Sequence, residues 1–243
     1  MTEDAVPRLV DARNVRDVAA VAALHRDLLP GSPVPALGQE FMRRFYYRRL
    51  VQDGLIGCHL ITSGDDAIGF LAWTTRPELG AAIIRRRPIS FALALLRAVI
   101  SSPARVGVLL KLARFSRLRS PTTDPSAATS RAPSNAPATA SASAQLTGEL
   151  LSLGVREAFR TREYLRRTKR RHSLELLHAA LSAMHTSGVQ RFNAYVEHDN
   201  MPMLLLYQGI GCELIRLPGA PTVRAEGNIA VVLQALQCGS ATS

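Results

Sequence analysis

The sequence is poor in aromatic side chains and in cysteine. Aromatic residues make up 5% of the 243 residues, so a core has to rest mainly on Leu, Val, Ile and Ala. The hydrophobic fraction of 47% is ordinary for a globular protein, and the length suits one large domain or one domain with an insertion. The three cysteines show no CxxC or Cys/His ligand spacing. We therefore expect neither a disulfide framework nor a metal site.

Long apolar runs are also missing. No uncharged run reaches the roughly 20 residues that a membrane-spanning helix needs. The opening residues, MTEDAVPRLV, carry acidic side chains and no apolar stretch, so we expect no secretory signal. The expected location is the cytoplasm, with at most a peripheral attachment to a membrane surface.

Negative charge is absent from one long part of the chain. The formal net charge is +11, from 30 Lys and Arg against 19 Asp and Glu. No acidic residue stands between Glu78 and Asp124, but nine basic ones do: Arg85, Arg86, Arg87, Arg97, Arg105, Lys111, Arg114, Arg117 and Arg119. Such an excess favours anionic partners, which include nucleic acid, acidic lipid and phosphorylated cofactors.

Hydrophobic periodicity predicts helices that alternate with strands. Asn14 is a candidate N-cap for the first helix. The predicted helices cover 15–29, 37–51, 173–186 and 200–208, and the predicted strands cover 7–11, 58–63, 67–75, 146–155, 189–197, 212–217 and 229–236. Strands that alternate with helices in this way imply an α/β fold, with helices on the outside of a mixed β-sheet.

Residues 77–145 interrupt this alternation. Two helical stretches are predicted at 89–100 and 104–118, separated by Ser101-Ser102-Pro103. Residues 120–145 are a Pro/Ala/Ser/Thr tract that cannot bury enough apolar surface to offset the entropy of ordering. We interpret 77–119 as a basic helical insertion and 120–145 as a disordered linker within it, both inside a single domain of residues 1–243.

The two helices of the insertion place apolar faces between basic residues. Three roles fit this pattern: attachment to an anionic membrane surface, a lid over an acceptor site, or packing against the domain or a second subunit. Binding to nucleic acid is the main alternative of another class. It is less favoured, because the basic segments lack interleaved aromatics and match no nucleic-acid-binding motif.

The most specific pattern in the chain runs from Asn200 to Cys212, NMPMLLLYQGIGC. Asn200 begins a short predicted helix, Tyr207 follows at +7, and Gly211 follows at +11, directly before a strand. A tyrosine hydroxyl in a short capped helix of this kind can serve as a general acid. The alternative is a half-buried core tyrosine with no chemical role.

This segment resembles the signature of the GNAT superfamily of N-acetyltransferases. Two positions depart from it, because Met203 replaces a small residue and Cys212 replaces a Phe. The predicted order of elements also matches the GNAT topology outside 77–145. The resemblance implies a GNAT-like mixed sheet flanked by helices. It also implies an acyl-CoA-dependent N-acyltransferase that moves acetyl from acetyl-CoA directly to an amine.

The resemblance further implies how the acyl donor binds. The stretch GELLSLGV is similar to the central GNAT strand, whose backbone pairs with the pantetheine arm at positions that correspond to Leu153 and Val155. The family's glycine-rich pyrophosphate loop is replaced here, because Arg171 and Ser173 stand where glycines are usual. Glycine allows close approach of backbone to phosphate.

Side-chain charge is the expected substitute for those glycines. Eight basic residues precede the predicted helix: Arg156, Arg160, Arg162, Arg166, Arg167, Lys169, Arg170 and Arg171. Arginine side chains bind phosphate well. The cofactor contacts expected beyond the central strand are Arg166, Arg167, Arg170, Arg171, His172 and Ser173, with Asn200 orienting the short helix.

The catalytic candidates are Tyr207 as general acid and Glu149 as general base. Glu149 lies on the central strand, where strict alternation places Leu151 and Leu153 on the same face. The acceptor is expected to be a small-molecule or peptide amine, which the sequence does not specify. Two further interpretations stay open: a degenerate GNAT-like module that binds a partner without chemistry, and assembly into a homodimer.

Overall fold

A seven-stranded mixed sheet forms the centre of the protein. The computed structural model describes residues 5–76, 78–102, 107, 146–216 and 218–241. The strands are β1 (Arg8–Leu9), β2 (Gly57–Ser63), β3 (Asp66–Thr74), β4 (Thr147–Val155), β5 (Arg191–Glu197), β6 (Glu213–Arg216) and β7 (Thr222–Asn228). They lie in the order β1-β2-β3-β4-β5-β7-β6. Every neighbouring pair is antiparallel except β4 and β5, which are parallel.

Helices cover both faces of this sheet. They are α1 (Val15–Leu28), α2 (Pro33–Ala36), α3 (π-helical Phe41–Arg49 and the turn Leu50–Gln52), α4 (Leu79–Arg86), α5 (Pro88–Ser101), α6 (Arg162–Thr168), α7 (His172–Thr186), α8 (Met201–Gly209) and α9 (Ile229–Ala241). The predicted α/β fold is confirmed. None of the helices in the described ranges is long and apolar enough to cross a bilayer.

In the first half of the chain, the predicted helix cap and the predicted hairpin both form. The side chain of Asn14 accepts hydrogen bonds from the N–H groups of Arg16 and Asp17 and so caps α1. Strands β2 and β3 form the predicted hairpin, in which Ser63 pairs with Asp66 across a two-residue turn. Gly64 adopts a positive φ of 58° in that turn, a conformation that glycine accepts without steric cost.

Two apolar layers hold the helices on the sheet. On one face, α7 and α9 pack over the inward residues of β3, β4, β5 and β7. On the other face, α1 and α3 pack over β2 and β3, and α5 adds Phe91 at their edge. We call these the α7 layer and the α1 layer. The sheet is therefore buried on both sides along its central strands, as an α/β arrangement requires.

The prediction of a closing strand at 229–236 is wrong, because this segment begins α9. The buried residues Ile229, Val232 and Leu236 are spaced for one face of a helix, and Val231 between them is 55% exposed. Asn228 caps the helix through the N–H groups of Ala230 and Val231. Branched side chains at the start of this segment favour a strand locally, but packing against α7 selects the helix.

The strand that the sequence analysis missed is β7, just before α9. Its residues TVRAEGN alternate, with Val223, Ala225 and Gly227 buried and Arg224 and Glu226 partly exposed. Helices α2, α4 and α6 were also not predicted. The predicted helix at 104–118 and the linker at 120–145 lie outside the described residues, apart from Gly107.

Two buried histidines make the fold sensitive to acid. The side chain of His25 on α1 faces α3. Its Nδ1 lies 2.6 Å from the Tyr47 hydroxyl and its Nε2 lies 3.3 Å from the Ser32 hydroxyl. Desolvation lowers the pKa of His25 to about 4. Desolvation also lowers the pKa of His59, which accepts a hydrogen bond from the Trp73 indole, to about 4.

We expect the free energy of unfolding to fall as the pH drops from 6.5 to 4. In that window the unfolded chain, whose histidines have the ordinary pKa of 6.5, binds more protons than the folded chain. The expected loss is about 3 kcal/mol per buried histidine. Urea unfolding at pH 7, 5.5 and 4.5 measures it. His25→Gln should halve the pH dependence, whereas the exposed His185→Gln should leave it unchanged; an unaltered slope in His25→Gln contradicts the prediction.

Candidate active site

The parallel strands β4 and β5 separate along part of their length. Thr147–Leu150 of β4 pair with Arg191–Ala194 of β5, and the register ends there. Beyond that point, Ser152–Val155 of β4 pair only with β3 among the described strands. We call the gap between this part of β4 and the end of β5 the β4–β5 opening. Backbone groups on that side of β4 are left for a ligand to pair with.

A bulge in β4 decides which side chains border the opening. Ala72 of β3 pairs with Ser152 and Trp73 pairs with Leu150, so Leu151 is an extra residue. Leu150 and Leu153 consequently both join the α7 layer, whereas Leu151 joins the α1 layer. The prediction that Leu153 shares a face with Glu149 is wrong, because it assumed strict alternation through this point.

Glu149 lies on the face of the α1 layer, close to the bulge. It pairs with Thr74, the neighbour of Trp73 on β3, and Trp73 faces the α7 layer. Residues directly opposite each other on paired strands project to the same face of a sheet. Glu149 is 8% exposed. Its carboxylate is therefore placed on the side of the sheet opposite α7, beside the start of the opening.

Polar residues continue from Glu149 across the second half of the sheet. Asn193 of β5 pairs with Glu149, Glu226 of β7 pairs with Asn193, and Glu213 of β6 pairs with Glu226. We call these four residues the polar row. The Glu226 carboxylate forms ion pairs with two arginines. Nε of Arg224 lies 2.7 Å from it, and the guanidinium of Arg191 lies 3.4 Å from it.

Helix α8 brings Tyr207 into the α7 layer. The side chain of Asn200 accepts a hydrogen bond from the N–H of Met203 at 3.4 Å, which confirms the predicted cap. Tyr207 is 3% exposed and belongs to the same apolar cluster as Leu150, Leu153 and Val155. Burial, and then the neighbouring Cys212 thiol, raise the pKa of Tyr207 above its ordinary value. The phenol therefore keeps its proton at neutral pH.

A basic cleft lies between α6 and the start of α7. It is an open cleft of about 450 Å³, lined by Arg160, Arg162, Leu165, Arg166, Lys169 and Arg171. Lys169 ends α6 in the left-handed conformation with φ 58°. Arg171 precedes α7 and supplies no side-chain cap to it. A helix start without a cap leaves N–H groups to pair with an anion.

A buried hydrogen-bond network shapes the loop between α6 and α7. His172 is 1% exposed, with Nδ1 2.9 Å from Glu175 and Nε2 2.8 Å from the Tyr164 hydroxyl. Arg170 binds both oxygens of Glu175 and also donates to the carbonyl of Ala5. We call this set the His172 network. It ties α6, the loop, the first turn of α7 and the N-terminal segment together.

The charge of Glu175 is stabilised inside this network. Burial by itself raises the pKa of Glu175, but hydrogen bonds from His172 and Arg170, together with the Arg170 charge, outweigh it and hold that pKa below its ordinary value. With Glu175 ionised, Nδ1 of His172 donates to it and Nε2 accepts from Tyr164. The network holds the loop between α6 and α7 in one shape.

The structure places the predicted cofactor contacts in several different surroundings. Arg166 and Arg171 line the basic cleft, and Ser173 lies half-buried in the first turn of α7. Arg170 and His172 instead belong to the His172 network. Arg167 lies over the ring of Tyr164, 6.0 Å from its centroid. Of the remaining three predicted contacts, Leu153 and Val155 lie on β4 beside the β4–β5 opening, and Asn200 caps α8.

Sequence reasoning missed the specific contributions of α6 to this cleft. Arg160, Arg162 and Lys169 were counted as basic neighbours but were not placed in the site. The available signal is Thr161, whose side chain accepts from the N–H of Tyr164 and caps α6. A capped helix ending just before Lys169 places these basic side chains around one cleft.

Comparison with solved structures finds proteins whose fold is similar to that of this chain. No protein-family model and no curated protein matches the chain. The GNAT domain of S. lividans PAT is 15% identical, with 91% of this chain and 89% of that chain covered and a TM-score of 0.48. An N-acetyltransferase from Thermoplasma acidophilum in complex with coenzyme A is 12% identical, with 91% and 98% covered and a TM-score of 0.44. An uncharacterised Bacillus halodurans protein is 10% identical, with 97% and 89% covered and a TM-score of 0.49.

The class of the fold is set by the chain's own topology. A mixed sheet with one parallel pair, flanked by helices on both faces, is the α/β arrangement that the sequence predicted. A fold of this class defines a place for a ligand and does not by itself name the reaction or the acceptor.

Proposed function

We propose that the protein is an acyl-CoA-dependent N-acyltransferase that moves acetyl from acetyl-CoA directly to an amine. The observation that carries this proposal is the position of the β4–β5 opening. It leaves strand backbone free for an extended amide-containing chain, and its far end lies close to α7, because Val155 of β4 and Leu176 of α7 both lie beside Gly69. An acyl-CoA has this combination of an extended amide arm and a polyanionic end.

The residues present fit such a donor. Five of the six residues that line the basic cleft are Arg or Lys, and arginine forks bind phosphate oxygens in pairs. In this proposal Arg166, Lys169 and Arg171 hold the pyrophosphate together with the uncapped start of α7. The backbone at Leu153 and Val155 pairs with the pantetheine amides, which places the thioester near the bulge of β4.

The proposed reaction moves two protons through two side chains. Glu149 takes a proton from the acceptor ammonium, and the neutral nitrogen then attacks the thioester carbonyl carbon. As the new C–N bond forms, the nitrogen becomes cationic; as the C–S bond breaks, the buried phenol of Tyr207 gives its proton to the departing thiolate. The second proton that the nitrogen loses restores the Tyr207 phenol, and Glu149 releases the first one to solvent. Asn200 orients Tyr207 because it caps α8.

The acceptor side is proposed to be the face of the sheet that carries the polar row. Glu149 and Asn193 pair across the start of the β4–β5 opening on that face. A carboxylate there attracts an acceptor in its ammonium form and then serves as its base. The proposed acceptor class is accordingly a small-molecule or peptide amine that arrives as a cation.

Calorimetric titration with acetyl-CoA at two salt concentrations tests the donor site. We expect saturable one-to-one binding with a micromolar dissociation constant that persists when salt is added. Arg166→Ala combined with Arg171→Ala should weaken it by about 10²-fold, since two charged hydrogen-bonding groups are lost. The exposed Arg13→Ala outside the cleft is the matched control and should change binding less than twofold.

The result that contradicts this proposal is weak binding that disappears with salt. Attraction of that kind reports a general positive surface.

One observation favours a second function, a GNAT-like module that binds a partner without chemistry: Arg171 and Ser173 occupy the positions where glycines are usual in the GNAT pattern. Tight binding of acetyl-CoA without transfer to any amine in a broad screen would support that second function.

A further inference from the structure

Helix α5 is attached to the domain by one apolar face. Phe91 lies 5.6 Å from Phe45 between ring centroids, and Ala94 and Leu95 pack on the α1 layer. Ala98, one turn further, is 5% exposed. These positions recur at intervals of three and four residues, so they form a single inward side of the helix.

The opposite face of α5 is also apolar and is open to solvent. Ile89 is 74% exposed, Leu93 47%, Leu96 54% and Ile100 73%. Their spacing of four, three and four residues aligns them in one stripe, which at 1.5 Å per residue is about 16 Å long. We call it the α5 stripe. A helix on the surface of a soluble protein normally presents polar side chains here, so the α5 stripe requires a partner.

Arginines border the α5 stripe. Arg97 on α5, four residues after Leu93 and three before Ile100, is exposed, as is Arg85 on the preceding α4, whereas Arg86 donates to the Asp53 carbonyl at 3.5 Å. Arg85 forms an ion pair with Glu78 at 4.0 Å, which is weak because both side chains are 72% exposed. Arg87 instead binds Asp53 through two hydrogen bonds of 3.0 and 3.1 Å, which fixes the corner between α4 and α5 on the domain. The result is a rigidly mounted apolar stripe with a positive border.

We propose that the α5 stripe docks on an anionic membrane surface, with Arg85 and Arg97 on the lipid phosphates. Apolar residues on one side and arginines at the border match the two layers of such a surface, which are acyl chains and charged headgroups. No acidic residue stands between Glu78 and Asp124, and the one ion pair described for these arginines, Arg85 with Glu78, is exposed, so the charge beside the stripe stays positive overall.

Charge favours a membrane over a second copy of the chain as the partner of the α5 stripe. A symmetric contact between two α5 stripes brings the same patch against itself, so each arginine border faces like charge or lies beside it. Like charges across an interface disfavour the contact. An anionic membrane instead presents negative charge to the arginines, over a surface that extends beyond the stripe. The proposal does not depend on acyl transfer.

Sedimentation of the full-length protein with lipid vesicles tests the proposal. We expect binding to vesicles of phosphatidylcholine mixed with phosphatidylserine, little binding to phosphatidylcholine alone, and weaker binding as salt is added. Leu93→Asp combined with Leu96→Asp should lower the partition coefficient by about 10²-fold, since two apolar side chains are replaced by charges of the lipid's sign. Val231→Asp on α9, where Val231 is also exposed, is the matched control and should leave it unchanged.

A second variant tests the arginine border without touching the apolar stripe. Arg85→Gln combined with Arg97→Gln should lower binding to the anionic vesicles by about tenfold. Circular dichroism and thermal unfolding check that each variant keeps the fold. Retained binding in this variant overturns the proposed role of the arginines.

Four other results overturn the docking proposal. The first is the absence of sedimentation with either kind of vesicle, and the second is equal sedimentation with both. The third is a dimer in analytical ultracentrifugation that Leu93→Asp with Leu96→Asp converts to monomer, which assigns the stripe to a second copy. The fourth is binding that appears only after residues 103–145 are replaced by a short Gly/Ser linker, which assigns the stripe to this chain's own segment.

Discussion

Tyr207→Phe is expected to lower kcat for acetyl transfer by about 10²- to 10³-fold while the dissociation constant for acetyl-CoA changes less than twofold. The ring stays in place because Phe fills the same space among Leu150, Leu153 and Val155. Only the hydroxyl is lost, so the thiolate has to leave without a proton donor. An effect confined to kcat is the signature of an interaction made in the transition state.

The experiment requires transfer kinetics and calorimetry on the same samples. Tyr46→Phe is the matched control, because Tyr46 is also buried but belongs to the α1 layer; it should alter kcat less than twofold. Unchanged kcat in Tyr207→Phe rules out the acid role. Equal losses in kcat and affinity would instead show that Tyr207 acts through packing. Either result leaves the titration of the basic cleft as an independent test of donor binding.

Glu149→Gln is expected to lower kcat by about 10²-fold near neutral pH. Gln keeps the size of the side chain beside the bulge and removes its ability to accept the proton. The wild-type rate should fall on the acid side as Glu149 becomes protonated, and this limb of the pH–rate profile should be missing in the variant. At high pH the acceptor amine is already neutral and needs no base, so the variant should recover part of the lost rate there.

Glu197→Gln provides the comparison for Glu149→Gln. Glu197 ends β5 and is exposed, so its replacement should leave both the rate and the pH profile unchanged. A Glu149→Gln enzyme with a normal rate and a normal acid limb would assign the base to another group or to water. In that case the proposed donor site and the role of Tyr207 would still stand on their own tests.

Features with local causes were predictable from the sequence. Asn14 and Asn200 cap their helices because the cap bonds reach only two or three residues along the chain. The hairpin of β2 and β3 follows from a two-residue turn with glycine at positive φ. The segment that led to the GNAT resemblance is likewise local, since it combines a cap, Tyr207 and Gly211 within one short helix and its exit.

Features with distant causes were not predictable in the same way. The segment 229–236 has strand-like composition, and only its packing against α7 makes it a helix. The bulge at Leu151 is a property of the register between β3 and β4, which no pattern within β4 reveals. It reverses the side on which Leu153 lies relative to Glu149, and with it the composition of each wall of the site.

The sequence by itself determined the fold class, the excess of positive charge, the caps and the catalytic candidates Tyr207 and Glu149. Tertiary structure alone decided which of the clustered arginines face the cleft. Arg166 and Arg171 line it, whereas Arg170 is drawn to Glu175 and to the carbonyl of Ala5, 165 residues away. The physical reason is that an arginine's role depends on the nearest carboxylate or carbonyl in space, and that partner is set by folding.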